Sequence, residues 1–273
     1  MLAALVTGAG GGLGLAIARM LAQRGFEVCV TDVDGDGAAH AAAAMGAGAW
    51  SRELDVTDAE ACGEAARAVV EGAGSLDVWV NNAGILLPGL VHEQDPAAHR
   101  AMLDVNALGT FNGTLAALGP MRAAGRGHIV NVVSLAGLVA APGEVAYAAS
   151  KHAAIAFSVG TLADLRRDGI KGIDVSAICP DGIWSPMLED KLDDADAAAS
   201  FSGTMLSPSA VATRISRLLD RPRPVVTIPR WRGVFVRIFD AFPSIAVRMT
   251  PLVMKDARRR QARFKRKLTK QSS

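Results

Sequence analysis

The chain has 273 residues, 50% of them apolar, with 28 glycines, 21% charged residues and a formal net charge of +2. That length and apolar content suit one large α/β domain or two small ones and exclude wholesale disorder. Three dispersed cysteines (Cys29, Cys62, Cys179), with no CxxC and no Cys/His ligand spacing, argue against a disulfide framework or structural zinc and for a reducing, cytoplasmic compartment.

No run of 18 uncharged apolar residues occurs, so no membrane-spanning helix is expected. The N-terminus lacks a basic region and opens directly into an apolar run, so no signal peptide is expected either. The small net charge hides an asymmetry. Residues 230–273 hold 13 Lys/Arg against 2 Asp/Glu, whereas residues 1–229 hold 16 against 25. A basic tail on a mildly acidic body implies a separate partner for the tail.

In chain order, short apolar runs at 2–6, 26–31, 49–54, 76–80, 128–133, 173–179 and 225–228 read as strands. Periodic stretches at 14–24, 58–73, 96–124 and 145–168 read as helices, with Gly25 and Gly169 at C-cap positions. The Ala run 41–44 favours helix. Continuous apolar strands separated by helices predict a Rossmann-like, doubly wound parallel sheet of seven strands with right-handed crossovers, in a single α/β domain. The acidic, Ala/Ser-rich stretch 184–208 breaks the alternation and reads as a mobile insertion before the last helix–strand pair.

Three motifs carry chemistry. Thr7-Gly8-Ala9-Gly10-Gly11-Gly12-Leu13-Gly14 joins the first strand to the first helix. Glycines let backbone approach a pyrophosphate at a helix N-terminus, where free N–H groups and the dipole favour anions. Asp32 ends the second strand, 18 residues after Gly14. A carboxylate there accepts bonds from ribose hydroxyls and repels a 2′-phosphate, which favours NAD over NADP. Tyr147-Ala148-Ala149-Ser150-Lys151 places a phenol and an ammonium at i and i+4 on one helix face, and Tyr147 is the sole tyrosine. A nearby cation is expected to lower the phenol pKa and make it a usable proton donor or acceptor. The five histidines show no metal-ligand spacing, so no metal is expected.

Together these motifs resemble the short-chain dehydrogenase/reductase family over roughly residues 2–230. The agreement in order and spacing includes the GxxxGxG turn, Asp55-Val56, Asn81-Asn82-Ala83-Gly84, Asn106, Ser134 and Tyr147/Lys151. The resemblance implies Tyr147 as general acid/base, with Ser134 steadying the substrate oxygen. Lys151 would bind the nicotinamide ribose, and Asn106 would hold a water in the proton relay. It implies a cofactor cleft formed by Gly8, Gly12, Leu13, Gly14 and Asp32, by Asp55 and Val56 at the adenine, and by Asn82, Ala83 and Gly84. Pro180, Ile183 and Ser185 would cradle the nicotinamide beside Tyr147 and Lys151. The sequence departs from the family pattern after the sixth strand, where Asp181 replaces the commoner glycine and Ser185 a threonine. Asp181 would put a charge at the rim of the substrate cleft. Trp184 and Met187 would open the lid as apolar contacts.

Beyond Arg230 the resemblance explains little, so residues 1–230 read as the catalytic domain and 231–273 as an extension. Trp231, Val234, Phe235, Ile238, Phe239 and Phe242 fall on one helical stripe, and a polybasic run follows to Lys267. An amphipathic segment beside Lys/Arg suits an anionic membrane surface, each charge contributing about 1 kcal/mol. Packing on the body or on another subunit is the alternative. Nucleic acid is disfavoured, because only Phe264 interleaves the basic run.

The expected activity is reversible hydride transfer between NAD and a secondary alcohol or ketone, with a lipophilic substrate if the tail meets membrane. The rivals are an NADP-linked reductase of 3-oxoacyl thioesters or ketones, and a non-catalytic, membrane-associated dinucleotide sensor. The resemblance also implies a homodimer or homotetramer, assembled through helices 96–124 and 145–168.

Overall fold

The structure, a computed structural model, describes residues 2–271, with side chains through Thr269. Seven strands form one parallel sheet: β1 (Ala3–Val6), β2 (Glu27–Asp32), β3 (Ala49–Glu53), β4 (Val78–Asn81), β5 (Gly127–Val132), β6 (Ile173–Pro180) and β7 (Val225–Ile228). Their order is β3-β2-β1-β4-β5-β6-β7, so the chain changes direction between β1 and β4 and opens a crevice at the strands' C-terminal ends.

The inner strands bury both faces, whereas the edge strands β3 and β7 are only partly covered. Ala4 and Val6 of β1 face α1 (Gly12–Gln23) and α8 (Pro208–Asp220), through Ile17, Leu21, Val211 and Ile215. Ala3 and Leu5 face the other layer, α3 (Ala59–Ala73), α5 (Gly109–Ala124) and α6 (Val145–Arg167), through Cys62, Val69, Met121 and Leu165. Fully buried side chains such as Ile17 and Leu21 contribute about 1.5–3 kcal/mol each. α2 (Gly35–Met45) flanks β2 and β3.

The stretch 96–124 is not one uniform helix. α4 (Pro96–Leu103) and α5 are joined by a π-helical turn, Asp104–Leu108, which carries Asn106. The stretch 184–208 is not an open loop. It holds α7 (Pro186–Glu189) and a 3-10 turn, Ala195–Phe201, packed between the body and the C-terminal helix.

The extension forms two helices, α9 (Arg230–Asp240) and α10 (Pro243–Gln271). The apolar stripe of α9 is not its packing face. Gly233 and Val236 are buried, whereas Trp231, Val234, Phe235, Ile238 and Phe242 stand 52–62% exposed. Close approach decides this: a Cβ on Gly233 would stand 2.2 Å from Thr227 Oγ1 of β7. α10 packs through Ala257, Gln261 and Phe264. Gln261 donates to the carbonyls of Lys191 and Asp194, and Lys265 pairs with Asp193. No helix among the described residues is long and apolar enough to cross a membrane.

Candidate active site

The crevice widens into a cleft of about 980 Å³. Its floor is the glycine turn. Asn82 Nδ2 donates to the carbonyls of Thr7 and Gly8, both at 2.9 Å, and the N–H groups of Asn82 and Ala83 donate to Thr7 Oγ1 at 3.0 Å. The end of β4 is thus tied to the turn after β1. A Cβ on Gly14 would stand 2.2 Å from Gly8 O and 2.6 Å from Asn82 Nδ2, so only glycine fits there.

The turn fits a dinucleotide on two observations. α1 begins with no side-chain cap, whereas α2 and α3 are capped by Asp34 and Asp58; its first N–H groups are left for an anion. A Cβ on Gly11 would meet nothing within 4 Å, so the backbone faces open space. Asp32 lies beside it, with Oδ2 accepting the Gly10 N–H at 3.0 Å and Oδ1 the Asp34 N–H at 3.2 Å. Leu13, Asp55, Val56 and Gly84 line the same groove. Asp55 Oδ1 also accepts from Thr57 N and Oγ1, which fixes the turn after β3.

The other end of the cleft holds Ser134, Tyr147 and Lys151. Ser134 follows β5 and caps the next turn through the Ala136 N–H. Tyr147 and Lys151 sit one turn apart on α6, with Lys151 Nζ 5.6 Å from the ring centroid and donating to Val132 O at 3.2 Å. The expected lowering of the phenol pKa is not what the structure gives. Burial raises Tyr147 well above its ordinary value, Glu144 adds to this, and the Ser134 hydrogen bond opposes it. Lys151 responds to burial instead, falling to about 8. Burial thus shifts both groups toward their neutral forms, but Lys151 at about 8 remains mostly a cation at neutral pH.

Of the catalytic and cofactor-binding residues expected from the sequence, Asn106 alone does not line the cleft. Its Oδ1 accepts the Ile85 N–H at 2.8 Å, while Nδ2 donates to Ile85 O and to Ser150 Oγ, which in turn donates to Tyr147 O. It thereby couples the loop after β4 to α6, from a π-helical turn of the kind that recurs at functional sites. Pro180, Ile183, Ser185 and Met187 line the same cleft, but Trp184 does not. Trp184 packs edge-on against Phe264 at 4.8 Å, so its role is lid packing.

Asp181 is not a free charge at the rim. Its Oδ2 accepts from Arg232 Nε at 3.2 Å and from the Thr204 N–H at 2.8 Å, and both charged side chains are largely buried.

Two features escaped sequence reasoning. Glu144 is 2% exposed, lines the cleft, and accepts the Ser200 N–H at 3.0 Å; burial pushes its carboxyl up to about 7. Only its place three residues before Tyr147 hinted at this. The extension also supplies a cleft wall, with Phe235, Phe239, Met249, Leu252 and Val253. No group of three or more His, Cys, Asp or Glu placed to hold a metal occurs among the described residues.

A family model described as short chain dehydrogenase matches residues 2–196. The chain belongs to the short-chain dehydrogenase family. SadH of Mycobacterium tuberculosis is 42% identical over 158 residues, which span 57% of this chain and only 57% of that protein. The 2-(S)-hydroxypropyl-CoM dehydrogenase 3 of Xanthobacter autotrophicus is 37% identical over 216 residues, 78% of this chain and 80% of that one. Among solved structures, a short-chain dehydrogenase/reductase from Burkholderia phymatum in complex with NAD superposes with a TM-score of 0.81 at 25% identity, covering 89% of this chain and 94% of that one. This short-chain dehydrogenase brings Ser134, Tyr147 and Lys151 into one cleft with an uncapped, glycine-lined helix start.

Proposed function

We propose that the protein transfers hydride between NAD and a secondary alcohol or ketone with a large apolar body. The observation that carries this is the single cleft joining Asp32 and the glycine turn to Ser134, Tyr147 and Lys151. The 2-hydroxypropyl group in the name of one relative is itself a secondary alcohol.

Bound NAD would supply a hydride acceptor at nicotinamide C4, and the protein positions and polarises around it. Leu13, Gly12 and the N-terminus of α1 hold the pyrophosphate, Asp32 the adenosine ribose, and Asp55 and Val56 flank the adenine. Gly8, Gly14, Asn82, Ala83 and Gly84 shape the groove, while Pro180, Ile183 and Ser185 receive the nicotinamide amide. Ser134 hydrogen-bonds the alcohol oxygen and stabilises developing alkoxide charge. Tyr147 takes the hydroxyl proton in oxidation and returns it in reduction, with Lys151 as the cation that steadies the phenolate and binds the second ribose. Asn106 is a positioning residue whose bonds to Ile85 and Ser150 fix the catalytic helix.

NAD is favoured over NADP because Asp32 has no Lys or Arg among its near neighbours in sequence. Titrating NADH and NADPH separately, with energy transfer from protein fluorescence as readout, tests this. NADH binding about tenfold tighter or better, equivalent to about 1.4 kcal/mol, is expected. Equal or tighter NADPH binding would move the assignment to an NADP-linked reductase of ketones or 3-oxoacyl thioesters. Binding that survives Tyr147→Phe while turnover is lost separates an enzyme from a dinucleotide sensor.

An apolar substrate is supported by the wall that Phe235, Phe239, Leu252 and Val253 contribute. The exposed face of Trp231, Val234, Ile238 and Phe242, followed by the basic turns of α10, supports peripheral association with an anionic membrane by an otherwise cytoplasmic enzyme. Flotation with phosphatidylserine vesicles should be lost in the full-length Trp231→Ser/Ile238→Ser variant, and retention would reject the membrane reading. The exposed Leu108, Leu115 and Val159 on α5, α6 and the turn before α5 support a homodimer or homotetramer. Light scattering of Leu115→Lys, which should shift to monomer, tests that assembly.

A further inference from the structure

A second groove of about 820 Å³ runs alongside the cleft. One wall is a single face of α10. Pro251, Met254, Lys255, Arg258, Arg259, Ala262, Arg263 and Arg266 line it, stepping i, i+3, i+4, i+7, i+8, i+11, i+12 and i+15. The facing wall is Leu90, Pro142, Gly143 and Asp196. That wall is fixed in place: the Gly89 N–H donates to Gly143 O at 2.8 Å, and a Cβ on Gly143 would stand 2.2 Å from Asp196 O.

Two properties separate this groove from an ordinary solvated helix face. Five cations meet one acid, Asp196, and none of the five has a carboxylate within ion-pair distance among the described residues. By contrast Arg260 pairs with Asp256 and Lys265 with Asp193, off the groove. Like charges at i and i+4, Lys255/Arg259 and Arg259/Arg263, repel, and an anion between the walls would relieve them. The groove also meets the catalytic cleft. Pro142 and Met254 border both, and the cations Arg258, Arg259, Arg263 and Arg266 follow Met254 along α10. At 1.5 Å rise per residue, Arg258 to Arg266 lie about 6–18 Å along the helix beyond Met254.

We propose that this groove binds the phosphate-bearing head of an elongated amphipathic substrate, whose apolar, alcohol-bearing end enters the catalytic cleft past Pro142 and Met254. The inference rests on the cleft being the site of alcohol oxidation and names the class of alcohol. Guanidinium groups bind phosphate oxygens bidentately, which suits Arg258, Arg259 and Arg263 to this head group better than lysines, which act as point charges. The phosphate can belong to a soluble ester or to a lipid; the chemistry at the groove is the same.

The test uses full-length protein with saturating NADH, which leaves an alcohol no hydride acceptor, and two probes kept below micelle formation or their solubility limit, dodecyl phosphate and dodecan-1-ol, with binding followed calorimetrically. Wild type should prefer dodecyl phosphate, and Arg259→Gln/Arg263→Gln should cut that preference about tenfold or more, since each charge-assisted contact is worth about that factor. Both replacements are good helix formers, so α10 is retained. Lys267→Gln, off the groove face, should leave the preference in place. Inorganic phosphate binding as tightly as dodecyl phosphate would overturn the proposal, because the head site would then be uncoupled from the cleft. So would a double variant that loses phosphatidylserine vesicle binding but keeps the dodecyl phosphate preference, which would assign the cations to a bilayer.

Turnover of 11-hydroxydodecyl phosphate against dodecan-2-ol separates the two levels of failure. If neither is oxidised, the reading of the cleft as a lipophilic-alcohol site fails. If both are oxidised with the same KM, that reading stands and the groove proposal falls. A lower KM for the phosphate ester, raised by the double substitution, supports both. Turnover of a hydroxyacyl phosphatidate only from vesicles would place the source in the membrane, and turnover of the soluble ester would place it in solution.

Discussion

Asp181 and Arg232 form an ion pair at 3.2 Å that joins the end of β6 to α9, and the same Asp181 oxygen accepts the Thr204 N–H from the lid. One carboxylate thus fixes three chain segments. Its closeness to Gly203, where a Cβ would stand 2.0 Å from it, leaves no room to re-orient. Removing one partner leaves the other charge buried and unpaired. Arg232→Gln should therefore cost about 3 kcal/mol in urea unfolding, and Asp181→Gly a similar amount. The double variant should recover part of that loss. A purely additive double variant would show that the two charges do not interact.

Glu144 makes the stability of the wild-type protein pH-dependent in an unusual direction for a carboxylate. Its folded pKa is raised from 4.5 to about 7, so the folded state holds a proton that the unfolded state gives up. Stability is unaffected below about pH 4.5 and declines as pH rises from there through 7. The full difference is on the order of 3 kcal/mol. His128, pushed down to about 4 by burial, works in the opposite sense, its contribution being lost as pH falls below 6.5. The comparison to make is therefore wild type against Glu144→Gln, which keeps an oxygen for Ser200. The variant should match wild type at pH 5 and be more stable at pH 8. A constant difference across that range would reject the assignment.

Gly14 and Gly11 separate packing from binding. Gly14→Ala drives a methyl into Gly8 O and Asn82 Nδ2, and should lower the melting temperature as well as cofactor affinity. Gly11→Ala meets no protein atom, so the fold should hold while NADH binding weakens. Thermal unfolding with and without NADH distinguishes the two, since only a protein that binds the dinucleotide is stabilised by it.

If Asp32 sets the proposed preference for NADH over NADPH, Asp32→Ala should erode it by about tenfold or more, mainly by weakening NADH, because a carboxylate at that position would both bind the ribose and repel a 2′-phosphate. The Gly10 N–H loses its acceptor in the same change. A fluorescence titration that left the ratio of the two dissociation constants unaltered would place the selectivity elsewhere.

The sheet was legible because local chemistry decides it. Strands β1, β2, β4, β5 and β6 are largely apolar runs buried on both faces, the edge strands β3 and β7 are only partly covered, and each of the seven begins and ends within two residues of its expected span. The cleft was legible because glycine turns, Asp32 and the Tyr147–Lys151 pair carry their geometry in their spacing. What escaped depends on contacts across long stretches of chain. Asp181 looks like a solitary charge until Arg232, 51 residues later, is folded beside it. The lid looks mobile until Phe264 and Gln261 of α10 reach it. In α9 the apolar stripe fits either a membrane surface or packing on the body, and which side packs is set by Gly233, which permits a closer approach on the other face. The π turn at Asp104–Leu108 has no local signature, since Asp-Val-Asn-Ala-Leu is compatible with an ordinary helix.

Phe264 sits in the apolar cluster with Leu86, Leu188 and Phe201, although it comes after all seven strands in the chain. During synthesis the dinucleotide groove can therefore assemble before its substrate wall exists, since segments nearer the N-terminus emerge first. A nascent or proteolytically trimmed chain lacking α10 would hold the groove but not the roof over it, and dinucleotide capture and substrate discrimination would be acquired at separate moments in the life of the molecule.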